Sequence, residues 1–472
     1  MQLSFYGVSA LPRLAWAARI VRGDPVVRVW HGSWVEIRTD AFVEGAWDAP
    51  FDAGAFDSSA VLAGSGGRLT RDGVLFASPA NMYERLHTVR VDGTLVVSNS
   101  LAFALALSGS RLDPAYHRYY LDLLDHYRIG IRVKAKHLRL AGGRRVELHD
   151  CCNLLVTPEL EIHRIEKAWG PAPANYADYA QQLAGTLERV IANAAAPERR
   201  WRYRPLVMLS QGYDTTAVAA LASRFGCREA VTFLKSDGLG GYGDDSGAAI
   251  GQCLGYDVTA YERSDYARMP GYRPEEFYLE PWGVDCTMVA MESQLPGTLL
   301  LSGRSAETVW SREGSGRWGL PDLQHAIDVT AGCALVELRL RLGFLHFAPA
   351  TVAAIHAPVI HPWNATQELQ PWSIGGSYDK PIARRIAEEA GVPRQLFGQH
   401  KRGGPDPAHD PASIRNGRFY SWYRRAMLRP RRRAVLLRLF GNRLHPHRRA
   451  GAEAIEAGAE RMIERYREAM RS

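Results

Sequence analysis

The residues best suited to bind a ligand lie in one stretch, LSQGYDTTAVAALA from Leu209 to Ala222. The run leading into it, PLVMLS (205–210), is apolar and bounded by turn residues, the pattern of a strand buried on both faces. Gly212 permits a tight turn, and a helix is predicted to start near Asp214 to Thr216. The first N–H groups of a helix have no partner inside it, and the macrodipole favours negative charge there. A turn through Leu209, Ser210, Gln211 and Gly212 is therefore suited to a phosphate. Hydroxyls of Ser210, Thr215 and Thr216 would add donors, and Asp214 would hold Mg²⁺ against the phosphates. The pattern G-x-x-x-x-G-K-[ST] is absent, so this is no Walker loop. The same residues also read as a strand followed by a capped helix, with Asp214 or Thr215 at the N-cap. Local physics does not separate the two readings.

Such a turn needs a frame of strands and helices, and the second half of the chain has that rhythm. A helix is predicted over 178–195, strands over PLVMLS, EAVTFL and TLLLSG (298–303), and helices over TTAVAALASRFG and GAAIGQCLG. Strands alternating with helices predict a doubly wound α/β domain with its ligand at the C-terminal strand ends. From Pro321 onward the pattern is mostly helical, with an aromatic loop at HPWNATQELQPWSIGG (361–376). The first part, to about residue 165, reads as β-rich. Short alternating or apolar runs are separated by Gly and Asp turns such as GSGG, DG and AGG, and interrupted by helices near Leu101–Leu107 and Ala115–Leu124. The connector WGPAPANY (169–176) marks a domain boundary.

Five segments in order resemble the asparagine synthetase and β-lactam synthetase family. SQGYDT resembles that family's S-G-G-x-D-[ST] pyrophosphate loop, and VTF (231–233) its adenine-contacting strand. DDSGAAIGQCLGYDV (244–258) resembles its D-E-x-x-x-A helix, and LLLSGRSAETVW (299–310) its L-S-G-x-G-A-D-E-L-F segment. YDKPIARRIAEEAGVPRQLFGQHKRGG (378–404) is similar to its K-x-x-x-R-x-x-x-x-x-x-P…R-x-K-x-G segment. Residues 72–107 resemble strands and a helix of the family's glutaminase domain, a four-layer sandwich. The resemblance implies an N-terminal αββα sandwich over 1–168 and a PP-loop synthetase domain over 177–410, followed by an Arg-rich helical extension over 411–472. It implies ATP and Mg²⁺, with Leu209, Ser210, Gln211, Gly212, Asp214, Thr215, Phe233 and Gly303 on the nucleotide. Asp214 and Glu307 would hold the metal, and Lys401 would stabilise the developing charge.

The departures have consequences of their own. A glutaminase of this type needs a cysteine directly after the initiator Met, but residue 2 is Gln2 and no cysteine precedes Cys151, so glutamine hydrolysis is expected to be absent. Gln211 replaces a glycine-type position of the loop, where it would crowd the pyrophosphate or donate to it. Glu307 stands for the family's Asp and Thr308 for its Glu. Gln399 and His400 replace basic positions before Lys401. RLGFLHF (341–347) keeps R-x-x-F-L but ends on His346 where the family has Asp, one residue before Phe347. The expected function is an ATP-dependent ligase that activates a carboxylate as an acyl-adenylate and forms an amide, between two substrates or by ring closure in one. An inactive nucleotide-binding scaffold is the alternative, and an RNA-modifying adenylating enzyme a further one.

With 58 Lys plus Arg against 50 Asp plus Glu, the 472-residue chain carries a formal charge of +8. Hydrophobic residues at 46% and charged residues at 23% exclude disordered and fibrous classes. No apolar run approaches the roughly 20 residues of a membrane span, and the N-terminus lacks the pattern of a secretory signal. Six scattered cysteines without a C-x-x-C pair argue against a disulfide framework and suit a reducing cytoplasm. Ten arginines crowd into Arg424–Arg449 without an acid. They are either a face for a polyanion or a solvated helix docked by Val435, Leu436, Leu437, Leu439 and Phe440. His346, His356 and His361 lack metal spacing. Trp363 and Trp372 line a pocket or belong to the core, and Tyr378 and Lys380 are read as catalytic or as a helix start.

Overall fold

The computed structural model describes residues 1–81, 83–113, 119, 137–234, 244–277, 283–311, 335–376, 378–400 and 446–472; for 283, 284, 307, 308 and 446–456 only the backbone is described. Ala115–Leu124 (Tyr119 apart), Lys401 and 424–445 thus lie outside the described residues, as do the side chains of Glu307 and Thr308.

Among the described residues the fold is mixed α/β with three sheets. Strands β1 (Gln2–Gly7), β2 (Trp16–Val21), β3 (Val26–His31), β8 (Leu86–Val91), β9 (Thr94–Ser98), β10 (His137–Arg139) and β11 (Arg145–His149) form a seven-stranded sheet in the order β1-β3-β2-β9-β8-β11-β10. It is antiparallel except for the β1–β3 pair. Strands β4 (Glu36–Ile37), β5 (Ala41–Ala46), β6 (Ala63–Leu69), β7 (Val74–Ala77), β12 (Cys152–Val156) and β13 (Ile162–Glu166) form a six-stranded antiparallel sheet. The two stack face to face on apolar residues that alternate along several of the strands, such as Trp16, Ala18 and Ile20 of β2 and Leu154 and Val156 of β12. Trp16 and Ile20 of one sheet meet Phe42, Phe76 and Leu154 of the other, while Ala41 and Val43 turn to the opposite face. Helix α1 (Leu101–Leu107), capped by Ser100, covers the outer face of the larger sheet.

One expectation fails in this region. GSGG (64–67) is not a turn but the middle of β6, buried and paired with β5. A side chain at Gly64 would come within 2.0 Å of the Glu44 carbonyl oxygen, and one at Gly66 within 2.3 Å of that of Phe42. The glycines are there for close approach of backbone, which resembles turn composition in sequence.

Lys167, at the end of this half, donates to the Ser78 carbonyl at 2.7 Å and is buried. Burial lowers its pKa to about 8. Through Lys167 alone the unfolded chain holds more protons than the folded one between pH 8 and the ordinary lysine value, so this residue's contribution to stability rises with pH across that window, while the raised pKa values of buried Tyr179, Tyr203, Tyr256 and Cys227 act in the opposite sense. The difference in urea unfolding free energy between the wild type and Lys167→Met is therefore expected to move in favour of the wild type by on the order of 2 kcal/mol from pH 8 to pH 10.

The third sheet is wholly parallel, in the order β16-β15-β14-β17-β18. Its strands are β14 (Arg204–Leu209), β15 (Glu229–Phe233), β16 (Asp257–Tyr261), β17 (Thr298–Leu301) and β18 (Leu345–Phe347). The last is a buried strand in a stretch whose pattern reads as helical, too short to show a period. One face packs on helices α2 (Tyr176–Ala194) and α3 (Tyr213–Ser223) through Val207, Leu209, Leu299 and Leu301. The other, through Leu206, Val231, Phe233 and Leu300, packs on Met288, Val289, Leu338 and Leu342. Helices α4 (Ala248–Cys253), α5 (Ala306–Val309), α6 (Val336–Leu342), α7 (Ala357–Ile360), α8 (Pro381–Glu389) and α9 (Pro446–Arg471) complete the fold. Among the described residues no helix is long and apolar enough to cross a membrane.

The two halves share polar contacts as well as core. Arg339 of α6 is buried between Glu44 and Glu84 of the first half, at 2.7 Å from each. Glu337 accepts from Ser100 at 2.6 Å and from Tyr466 of α9 at 2.7 Å. Helix α9 lies against α1, with Tyr466 stacked on Phe103 at 4.8 Å.

Candidate functional site

The order of the parallel sheet reverses at β14. The chain runs outward from it to β15 and β16, then returns to β17 on its other side. In open parallel sheets, ligands bind outside the carboxyl ends of the strands at such a point. The segments following β14 and β17 meet there, and they contain most of the residues the sequence singles out.

After Leu209 the backbone turns through Ser210, Gln211 and Gly212 into α3. The cap residue is Gly212, and no side chain caps this helix start. Neither Asp214 nor Thr215 is the N-cap, as the capped-helix alternative would have it. Thr215 instead braces the turn from within. Its hydroxyl accepts from the Ser210 N–H at 3.1 Å and lies 2.9 Å from the Ser210 hydroxyl. Thr216 donates to the Gly212 carbonyl at 2.7 Å. Gln211 neither crowds nor joins the turn, since its side-chain amide points away to the Ser246 carbonyl at 3.3 Å. Its carbonyl accepts from the Gly398 N–H at 2.9 Å.

The principal charged group on the turn is a pair. Lys380, at the start of α8, donates to both oxygens of Asp214, at 2.7 and 2.8 Å. The lysine side chain is 2% exposed and the aspartate 21%, so the pair is half-sheltered with its acidic member toward solvent. One turn along, buried Arg384 donates to the Tyr213 hydroxyl at 2.7 Å and lies over the Tyr213 and Phe397 rings, 4.9 Å from each. Spacing of four residues puts Lys380 and Arg384 on one face of α8, and that face grips the first turn of α3. Tyr378 packs edge-on against Tyr213 at 4.9 Å. The pairing of Lys380 with Asp214 is the main feature that the sequence left open; the K-x-x-x-R spacing marks one face of α8 but not the partner of that face.

Beyond β17, Gly303 lies directly against this helix start. A Cβ there would sit 2.8 Å from the carbonyl carbon and the Cβ of Asp214, and from the Thr215 nitrogen. Ser302 is hydrogen-bonded to His346 Nε2 at 2.7 Å, and burial holds that imidazole well below its ordinary pKa, hence neutral. Arg304 donates to buried Asp285 at 2.6 Å. Ser305 is hydrogen-bonded to Tyr83 of the first half. Phe233 ends β15 next to β14, buried, with the Arg263 guanidinium 4.3 Å above its ring.

Other candidates are drawn into the framework. His356 meets the Gly170 carbonyl at 2.8 Å, Trp372 lies under Arg385 at 4.5 Å, and Trp363 packs near Tyr179 at 6.2 Å. Cys151 donates to the Asn81 carbonyl at 3.2 Å. Among the described residues no group of three or more His, Cys, Asp and Glu side chains is placed to hold a metal.

No protein-family model matches the chain, and no curated protein is significantly similar to it.

Proposed function

We propose that the chain is an AMP-forming amide ligase of the asparagine synthetase and β-lactam synthetase kind. Its first half would be a glutaminase-type sandwich without the nucleophile, and its second half, beyond the connector 169–176, a PP-loop synthetase. The observation that carries the reading is the uncapped start of α3 at the strand-order reversal, with a carboxylate and a buried lysine on the turn. Unpaired N–H groups there suit a pyrophosphate. A nucleotide-bound magnesium needs only one or two protein carboxylates, because phosphates and water complete its shell. Asp214 therefore suffices in kind, with Glu307 as the second by resemblance. The metal, when bound, would neutralise charge on the leaving pyrophosphate.

Lys380 is a cation already at the turn. As long as Asp214 holds it, the site is neutral; when Asp214 is drawn to a cation, Lys380 becomes available to a phosphate oxygen. A carboxylate oxygen of the substrate attacks the α-phosphorus of ATP, and the bond to the bridging oxygen breaks to release pyrophosphate. An amine then attacks the acyl carbon, AMP leaves, and the amine loses a proton. Lys401 is assigned to the developing charge. Without glutamine hydrolysis the amine comes from a second metabolite or from the same peptide. ATP supply puts the reaction in the cytoplasm.

The test is release of pyrophosphate from ATP across a panel of amino acids and peptides. The protein is expected to release it with at least one of them, and Asp214→Asn to fall by about a hundredfold or more, the loss typical of removing one preorganised charge contact. ATP binding with no pyrophosphate on any substrate would favour the scaffold reading. Equal behaviour of the two proteins on every substrate would end the ligase reading.

A further inference from the structure

The segment after β17 is held from the other half of the molecule. It runs Ser302, Gly303, Arg304, Ser305 and then enters α5. Ser305, the residue ahead of that helix, is left-handed at φ +66°, ψ −18°. A serine keeps such a conformation only where its surroundings impose it. Its buried hydroxyl is hydrogen-bonded to the hydroxyl of Tyr83, which is itself 1% exposed.

Tyr83 is well placed to impose a conformation. Its own N–H donates to Asn81 Oδ1 at 2.9 Å, and its neighbour Glu84 is tied to Arg339 at 2.7 Å. Its ring lies 5.3 Å from that of His346, the partner of Ser302. One tyrosine of the first half thus bears on both serines that flank Gly303 and Arg304. The backbone of Glu307 follows in the first turn of α5, and Gly303 touches the backbone of Asp214.

We propose that Tyr83 is a positioning residue: its hydroxyl holds Ser305 in the left-handed conformation that starts α5, and so sets where Glu307 stands relative to Asp214. The roles given to Asp214 and Glu307 are those of the ligase reading, on which this inference rests. It makes the first half a required part of the nucleotide apparatus rather than an inert remnant.

The test measures ATP binding to the full chain by calorimetry over a series of Mg²⁺ concentrations. Tyr83→Phe, Ser305→Ala and their double variant are compared with Tyr256→Phe, which loses a buried hydrogen bond to the Ala219 carbonyl (2.7 Å) away from the turn. Tyr83→Phe and Ser305→Ala are each expected to raise the half-saturating Mg²⁺ about five- to tenfold, the scale of one buried hydrogen bond. The double variant should lose less than the sum of the two single ones, because the Tyr83–Ser305 hydrogen bond is common to both. Tyr256→Phe should lower the thermal midpoint while keeping the wild-type Mg²⁺ requirement. Unshifted Mg²⁺ requirements in Tyr83→Phe and Ser305→Ala, or a full additive loss in the double variant, would overturn the role of Tyr83 and leave the ligase reading standing. A wild-type protein that binds no ATP at millimolar Mg²⁺ would remove both. Should Tyr83→Phe fail to fold, Ser305→Ala alone decides the matter.

Discussion

Replacing Arg339 by alanine is expected to destabilise the protein by about 3 to 5 kcal/mol, read as a fall in urea midpoint at unchanged slope. Its side chain is 2% exposed, and its guanidinium meets Glu44 at 2.7 Å and Glu84 at 2.7 Å, both almost wholly buried. Removing the cation takes from both carboxylates the charge that Arg339 supplies in a low dielectric, and Ser65 and Asn99, at 2.7 and 3.1 Å from Glu44, cannot replace it there. The loss should come from the stranded acids rather than from the missing attraction. Arg339→Met combined with Glu44→Gln and Glu84→Gln is accordingly expected to recover much of it. A triple variant as unstable as the single one would show that packing, not charge, sets the cost.

If the turn holds ATP and Mg²⁺ as proposed, Gly303→Ala is expected to abolish that binding while leaving the protein folded. The added methyl would lie 2.8 Å from the carbonyl carbon and Cβ of Asp214 and from the Thr215 nitrogen. Two of these atoms are backbone at a helix start and the Cβ is fixed directly to it, so relief requires β17 and α3 to separate rather than one side chain to swing aside. The strain amounts to about 1 to 3 kcal/mol of stability, which a chain of this size tolerates. Its larger effect falls on Asp214, displaced from Lys380 and from its place on the turn. Calorimetric titration at saturating magnesium checks it; an affinity within about twofold of wild type would mean that the contact carries no weight at the site. Gly297→Ala, at a glycine whose surroundings are nearly open but whose φ is +68°, serves as the comparison for backbone strain alone.

The strand-to-helix turn at 210–212 is legible because a strand buried on both faces reads as an unbroken apolar run, and PLVMLS does so before a glycine turn. The helix over 176–194 was equally legible, since its apolar residues recur at helical spacing. The glycines of β6 were not, because a glycine needed for close strand approach has the same composition as one that turns the chain. Nor was β18, a three-residue strand too short to carry a period. The Asp214–Lys380 pair joins residues 166 positions apart, and no local pattern encodes such a distance.

Composition and periodicity alone thus determined the β-rich first part, the alternating strands and helices after it and the strand-to-helix turn at 210–212, because each depends on neighbours in sequence. Only the tertiary structure decided which groups stand on that turn: Lys380 beside Asp214, Gly303 against the helix start, and Tyr83 reaching across from the other half. Those choices depend on burial and on distances between remote segments, which exist only once the sheets have packed.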